Sequence, residues 1–198
     1  MPARTPKTEE IVVQAIELRS LRVRIVGDSP LICHRFAEKA RKKIGDRHGQ
    51  KAQQKEAWNP EAEFNDARYR MADGRDGFPA TGLKKAISNA FRFADGLKKV
   101  EINGALHVQP GQELVPIESD EPLMREDVTR ASMTTFLRYR PEYRNWSIAF
   151  DIVYNERAIS AEQVVNLLNI AGFGVGIGEW RPERNGQFGM FHVAEGEA

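Results

Sequence analysis

The segment 146–154 alternates large apolar residues with smaller or polar ones, and this pattern constrains the fold more than any other feature. Its apolar positions are Trp146, Ile148, Phe150, Ile152 and Tyr154. A period of two places alternate side chains on opposite faces, so the segment predicts a strand with one buried and one solvated face. The alternation over 20–27 predicts a second strand of the same kind. This strand ends at the turn residues 27–30.

Two further segments show helical periodicity. In the first, the apolar residues recur every three or four positions and are Leu83, Ile87, Ala90 and Phe91, with Thr81 as the predicted N-cap. The second begins at Ser160, which has Gln163 three residues later as in a capping box, and we expect it to end at Gly172. Short strands are predicted over 100–108, 173–177 and 188–193.

In chain order these elements are strand, helix, strand, strand, helix and strand, once two long excursions are set aside. The excursions, at about 35–75 and 109–143, are predicted insertions. The remaining order, βαββαβ, predicts an α+β fold of the ferredoxin-like or RRM-like type. We expect residues 1–17 to form a polar tail and 18–198 to form one domain. Many functions share this fold, so it identifies none of them.

Composition excludes several kinds of site. Cys33 is the only cysteine among the 198 residues, which excludes an intrachain disulfide and a multi-cysteine zinc site. The histidines have no metal-ligand spacing and no phosphate-loop motif occurs, so we expect no metal and no cofactor. No apolar run approaches the roughly 20 residues that cross a bilayer, and the first ten residues are too polar for a secretory signal. We therefore expect a cytoplasmic protein that makes no membrane contact.

Charge is distributed unevenly along the chain. The formal net charge is +1, but residues 35–55 hold eight basic and two acidic residues, so this segment has an excess of six and the remainder sums to minus five. Such a run is usually a solvated helix face, and the alternative is a phosphate-binding segment with salt-dependent affinity. The candidate phosphate contacts are Arg35, Lys39, Lys42 and Lys43.

The run 172–189 is the most unusual stretch. Glycine occupies every second position over 172–178, and the loop that follows carries Trp180, Arg181 and Arg184. A strand with one glycine face would admit close approach by another chain or a ligand, while the loop would add a stacking surface and phosphate contacts. The alternative is a packed hairpin whose glycines accommodate the helix beneath, and the residues alone do not choose between the two.

Three motifs resemble those of the RAMP superfamily, the RRM-like proteins of CRISPR systems. The run 172–189 resembles the family's glycine-rich loop, and the sequence Phe-Pro-Ala-Thr-Gly-Leu-Lys-Lys-Ala at 78–86 resembles its Pro-Gly-Ser-Ser-Leu-Lys-Gly helix start. The strand ending at 29–32 is a weaker likeness. Ala80 and Lys85 stand where the family has glycine. The resemblance is strongest to the backbone subunits that polymerise along guide RNA, so we interpret the chain as a divergent relative of the kind a phage or another mobile element carries.

The resemblance implies backbone contacts at the helix start, from Thr81, Gly82, Lys84 and Lys85. The free N–H groups and dipole of a helix N-terminus favour the same role, whereas the alternative is a capping threonine followed by solvated lysines. The family also has a thumb-like hairpin where 109–143 lies. There Arg138 and Arg140 flank an aromatic residue and are predicted contacts. The candidate wedge residues, which otherwise cover the sheet, are Met124, Met133 and Phe136.

His34 follows the first strand beside a basic segment. It is a candidate general base for RNA cleavage by the RNA's own 2′-hydroxyl, since endoribonucleases of the superfamily use histidines. A lone histidine there is more often a phosphate contact or a surface residue, and no metal site is expected around it.

Together these patterns predict a non-catalytic protein that binds single-stranded RNA or DNA and self-associates along the strand as a filament, without a cofactor. Its expected partners are the nucleic acid, further copies of itself and other subunits of a nucleoprotein complex. Two alternatives remain open. One is a RAMP-type endoribonuclease that uses His34, and the other is a mobile-element protein that mimics a backbone subunit.

Overall fold

A computed structural model describes residues 15–36, 59–94, 96–131 and 134–195. Its largest sheet has four strands in the order β4-β8-β1-β9, and every neighbouring pair is antiparallel. These strands are β1 (Leu18–Gly27), β4 (Leu106–Val108), β8 (Ser147–Asn155) and β9 (Phe191–Val193). The candidate contacts Lys39, Lys42 and Lys43 and the proposed tail up to residue 14 lie outside the described residues.

The two alternating segments pair with each other at the centre of this sheet. β1 and β8 stay in register from Leu18 opposite Asn155 to Val26 opposite Ser147. Ile148, Phe150 and Ile152 have no exposed surface, while the residues between them are partly exposed. Both predicted strands are therefore confirmed, and the buried face of β8 forms the centre of the hydrophobic core.

The α-helices among the described residues are α1 (Pro60–Asp66), α2 (Ala80–Asn89), α3 (Lys99–Ala105) and α4 (Ala161–Gly174). The capping box of α4 is confirmed, because Ser160 Oγ accepts from Gln163 N at 3.2 Å and Ser160 N donates to Gln163 Oε1 at 2.9 Å. The N-cap assigned to Thr81 is wrong. β3 (Gly77–Pro79) runs directly into α2, so Pro79 occupies the cap position and no side chain caps the helix.

The predicted strand 100–108 is correct only over Leu106–Val108, which form β4, and the predicted strand 173–177 is not a strand. Residues 99–105 form α3, where Glu101 accepts from Lys98 N at 3.0 Å and the buried Ile102 and Ala105 are three residues apart. Residues 173–174 are the last residues of α4, and the chain then turns through Gly176 and Gly178, which both have positive φ. Glycine alternating with apolar residues mimicked a strand in the sequence, although here it marks a helix end and a turn.

The excursions build two smaller sheets. β2 (Leu31–Ile32), β7 (Thr134–Tyr143) and β6 (Leu123–Ala131) form one in the order β2-β7-β6, and β3 pairs with β5 (Leu114–Pro116) in the other. β6 and β7 form a long hairpin that pairs in register from Leu123 opposite Glu142 to Ala131 opposite Thr134. The α+β class is confirmed. Among the described helices, none has both the length and the apolar character needed to cross a membrane.

Candidate functional site

The loop 175–190, which connects α4 to β9, docks on the turn that follows β1. Gly189 N donates to Pro30 O at 2.9 Å, and Glu179 N donates to Ile32 O at 2.8 Å. Met190 N donates to Ser29 Oγ at 3.0 Å. Two of the three motifs noted in the sequence, the glycine-rich run and the end of the first strand, are therefore hydrogen-bonded to each other.

The glycines in this region serve close packing within the chain. A Cβ at Gly178 would lie 2.4 Å from Ile32 O, and one at Gly172 would lie 1.7 Å from Phe191 O. Gly178 also has a φ of 76°, in the left-handed region. The glycines thus do not form one open strand face. They accommodate neighbouring backbone, which is the packing role given above as the alternative. They do so at a helix end and in a loop, however, and not in a hairpin.

A cleft of about 200 Å³ opens where this loop, the end of β2 and α2 meet. It brings together residues of the 78–86 and 172–189 motifs with Cys33 and His34, which follow the third. The lining residues with charged, imidazole or amide side chains are His34, Lys85, Asn89, Glu179, Arg181 and Glu183. Gly82 lines it as well, and the Phe78 ring lies 2.8 Å from where its Cβ would be. Cys33 also lines the cleft, but burial raises the pKa of its thiol, so it is protonated and a poor nucleophile.

A fixed polar network forms the cleft wall contributed by α2 and the loop. Glu183 accepts from Asn89 Nδ2 at 2.8 Å and from Arg181 Nη2 at 3.0 Å. Arg92 Nη1 lies 3.4 Å from the same carboxylate, and Arg181 Nη1 donates to Gly178 O at 2.9 Å. Arg181, a predicted phosphate contact, therefore holds the shape of the loop with most of its donors.

His34 occupies the end of β2 beside the cleft. Its Nδ1 is buried and has no hydrogen-bond partner among the described residues. Burial lowers the pKa of this imidazole, with the positive charges of Arg140 and Arg138 acting in the same direction and Glu179 opposing them. His34 is consequently neutral near pH 7 and available to accept or donate a hydrogen bond.

Trp180 lies between the cleft residues Glu179 and Arg181 in the chain and has an unusual backbone conformation. Its φ is 53° and 42% of its surface is exposed. The loop maintains this conformation, since Phe188 N donates to Trp180 O at 3.0 Å and Gly186 packs against the same carbonyl. A second groove beside the cleft is lined by Trp180, Arg140 and the exposed Arg184, and the Arg140 guanidinium lies 6.0 Å from the Trp180 ring centroid.

The predicted arginines of the hairpin are already paired. Arg140 is only 4% exposed and donates to Asp127 at 2.8 Å. Arg125 bridges Asp127 at 2.9 Å and Glu142 at 2.8 Å. We call these four residues, Arg125, Asp127, Arg140 and Glu142, the hairpin ion network. Arg138 remains exposed and contacts Glu63 at 3.2 Å.

The candidate residues at the start of α2 point in different directions. Lys85 is exposed at the rim of the cleft and Thr81 is exposed outside it. Lys84 turns towards α3, with Nζ 3.2 Å from Asn103 O and 3.1 Å from His107 Nδ1. The structure therefore brings Gly82 and Lys85 together with His34 and Arg181, and it separates Lys84 from them. Arg35 follows His34, and its amide donates to Ala67 O at 2.9 Å.

Asn89 and Glu183 were not recognised from the sequence. Asn89 lies on α2 and bonds to a residue 94 positions away, so no local pattern could indicate the pair. Among the described residues, no group of three His, Cys, Asp or Glu side chains is placed to hold a metal ion.

No family model and no curated protein matches the chain. Among solved structures, the crystal structure of Cmr6 from Pyrococcus furiosus matches with a TM-score of 0.47 and 9% sequence identity, over 89% of this chain and 98% of that one. A match at this level is a likeness between the two chains and carries no inference about what this chain does.

Proposed function

We propose that this chain binds single-stranded nucleic acid at the surface formed by Trp180, Arg184 and the cleft rim at Lys85. The observation that carries the proposal is the conformation of Trp180, an exposed aromatic ring on a left-handed backbone. A bulky residue rarely adopts this conformation, and such strain is concentrated at functional sites. A fixed aromatic ring can stack on a base of a single strand, and cations beside it can bind the phosphates.

The nucleic acid is a single strand because stacking on an exposed ring requires an unpaired base. Two exposed cations come from different elements: Arg184 lines the same groove as Trp180, and Lys85 of α2 stands at the rim of the neighbouring cleft, which shares Glu179 and Arg181 with that groove. Sequence-independent binding of this type draws most of its affinity from phosphate contacts.

The finer fold assignment is part of the proposal. Strand order β4-β8-β1-β9, with α2 between β1 and β4 and α4 between β8 and β9, supports a ferredoxin-like unit. The two motifs that carry the RAMP resemblance line one cleft, which supports a relationship to that superfamily.

Self-association along the strand is the third part. Val128 and Leu137 lie opposite each other on the hairpin and are 65% and 38% exposed, and Phe136, the preceding residue of β7, is 41% exposed on the other face. The exposed apolar residues of this hairpin support a contact with another copy of the chain.

Fluorescence anisotropy tests the proposal. The probes are labelled single strands of about 20 nucleotides, RNA and DNA in parallel, and the matching duplex. We expect the single strand to bind at least about tenfold more tightly than the duplex, with affinity falling steeply as salt rises. Arg184→Ala should reduce the salt slope, while Arg157→Ala, at an exposed arginine paired with Glu17, should leave it unchanged. Equal binding of duplex, or an affinity that salt does not change, would contradict the proposal.

RNA cleavage is a second candidate because His34 is neutral and lines the cleft. It predicts metal-independent cleavage that His34→Ala abolishes while strand binding is retained. Cleavage at the parent rate by the variant would eliminate it.

A further inference from the structure

The cleft contains a buried hydrogen-bond acceptor that the protein leaves unsatisfied. Asn89 is 3% exposed, and its Oδ1 has no hydrogen-bond partner among the described residues. The orientation of the amide is fixed, since Nδ2 donates to Glu183, which Arg181 and Arg92 hold in turn. A buried acceptor without a partner costs roughly 1–3 kcal/mol, so a ligand that supplies a donor here gains that amount.

A second unsatisfied atom lines the same cleft. His34 Nδ1 is buried and unpartnered, and it lies on the β2 side, while Asn89 lies on the α2 side. Two residues on different walls of the cleft thus each carry an unsatisfied, buried hydrogen-bonding atom. A ligand that satisfies both atoms must carry polar atoms along one edge, so a purely apolar ligand does not fit.

The cleft lining is mixed, with apolar and aromatic residues beside the charged side chains of Lys85, Glu179, Arg181 and Glu183. Its apolar and aromatic lining comes from Tyr69, Phe78, Ala86, Val175 and Ile177. At about 200 Å³ the cleft is smaller than the roughly 300–1,000 Å³ of sites for drug-sized molecules, so it suits a single small ring system. The exposed Lys85 stands at the rim, where it can meet a phosphate attached to that ring.

We propose that this cleft binds one nucleobase that carries an exocyclic amino group, with Asn89 Oδ1 accepting a hydrogen bond from that group and His34 Nδ1 bonding a second position of the base. The proposal rests on the nucleic-acid binding proposed above and adds a preference for particular bases. The base comes either from the bound strand, next to the nucleotide that stacks on Trp180, or from a free nucleotide.

Isothermal titration calorimetry with adenosine and inosine 5′-monophosphates tests whether the cleft binds the base of a free nucleotide. The two probes differ at the position of the exocyclic amino group, which inosine replaces with a carbonyl. A second arm measures the affinity of a uridine-rich oligonucleotide that contains either one adenosine or one inosine. We expect adenosine to be preferred about tenfold in at least one arm.

Asn89→Leu should abolish that preference because it keeps a similar side-chain volume and removes the acceptor. Ser88→Ala is the matched control, since Ser88 is the neighbouring buried residue of α2 but bonds to Asn103 on α3 and does not line the cleft. If Asn89→Leu fails to fold, His34→Gln, at a less buried position of the same cleft, provides the second test and should weaken adenosine binding.

The outcomes separate the two proposals. Equal binding of adenosine and inosine in both arms, or a preference that survives both variants, would overturn the base site. Salt-dependent strand binding together with that result would leave the proposed function standing. Preferential binding of free adenosine monophosphate by a chain that binds no strand would support the base site and contradict the proposed function.

Discussion

The β6–β7 hairpin and the loop 175–190 both concentrate arginines, but they use them differently. In the hairpin ion network, Arg140 is buried against Asp127 and Arg125 spans two carboxylates, so their charges are neutralised within the protein. In the loop, Arg181 is paired with Glu183, but the Arg184 side chain is exposed, and no hydrogen bond or ion pair joins it to another described residue. The carboxylates around an arginine, more than its position in a basic or aromatic run, decide whether it stabilises the fold or remains available for a ligand.

The largest expected effect comes from a substitution in the hairpin ion network. Asp127→Ala leaves the buried Arg140 guanidinium without its nearest carboxylate, so we expect the free energy of unfolding to fall by about 3–5 kcal/mol. Asp151→Ala is the control, because Asp151 pairs with an exposed arginine, and it should cost less than about 1 kcal/mol. Urea denaturation measures both values. Similar losses in the two variants would show that burial does not distinguish these pairs.

A substitution in the loop 175–190 should also lower the stability, because it forces a side chain against neighbouring backbone. Gly178→Ala places a Cβ 2.4 Å from Ile32 O at a residue with positive φ, so we expect the free energy of unfolding to fall by about 2 kcal/mol or more. Gly104→Ala, in α3 with nothing within 4 Å of its Cβ, should be neutral or stabilise the chain by up to about 1 kcal/mol. Chemical denaturation of both variants checks the prediction, and an unchanged midpoint for Gly178→Ala would contradict the docking described for the loop.

The smallest effect concerns His34, which lies between the two regions. Burial lowers its pKa below 6.5, so the unfolded state binds the proton more readily. Stability from this group is complete above that value and is lost as the pH falls towards the lowered pKa. His34→Gln should therefore lose less stability than the parent between about pH 7.5 and about pH 5.5. Urea midpoints at the two pH values measure the difference, and parallel losses in parent and variant would contradict it.

The central sheet could be predicted because its signal is local. Alternation in β1 and β8 reflects burial of every second side chain, and the Ser160–Gln163 capping box lies within four residues. The loop could not be predicted in the same way, since glycine at alternate positions is compatible with a strand face or with a helix end followed by a turn.

The candidate site depended on contacts between distant segments. Residue patterns brought His34 and Arg181 into consideration and the motif resemblance added Gly82 and Lys85, and the structure places all four around one cleft. It could not show that Arg140 is buried, because that depends on Asp127 in the opposing strand, nor that Asn89 is fixed by Glu183.

The central claim is that Trp180 stacks on an unpaired base. The most direct measurement is the affinity of Trp180→Ala for a labelled single strand, with Phe173→Ala as the control at an aromatic residue that is 77% exposed and does not line the cleft. We expect Trp180→Ala to weaken binding by about 1–3 kcal/mol, which is about fivefold to 150-fold, and Phe173→Ala to leave it unchanged. Parent affinity in Trp180→Ala, with Phe173→Ala also unchanged, would contradict the account.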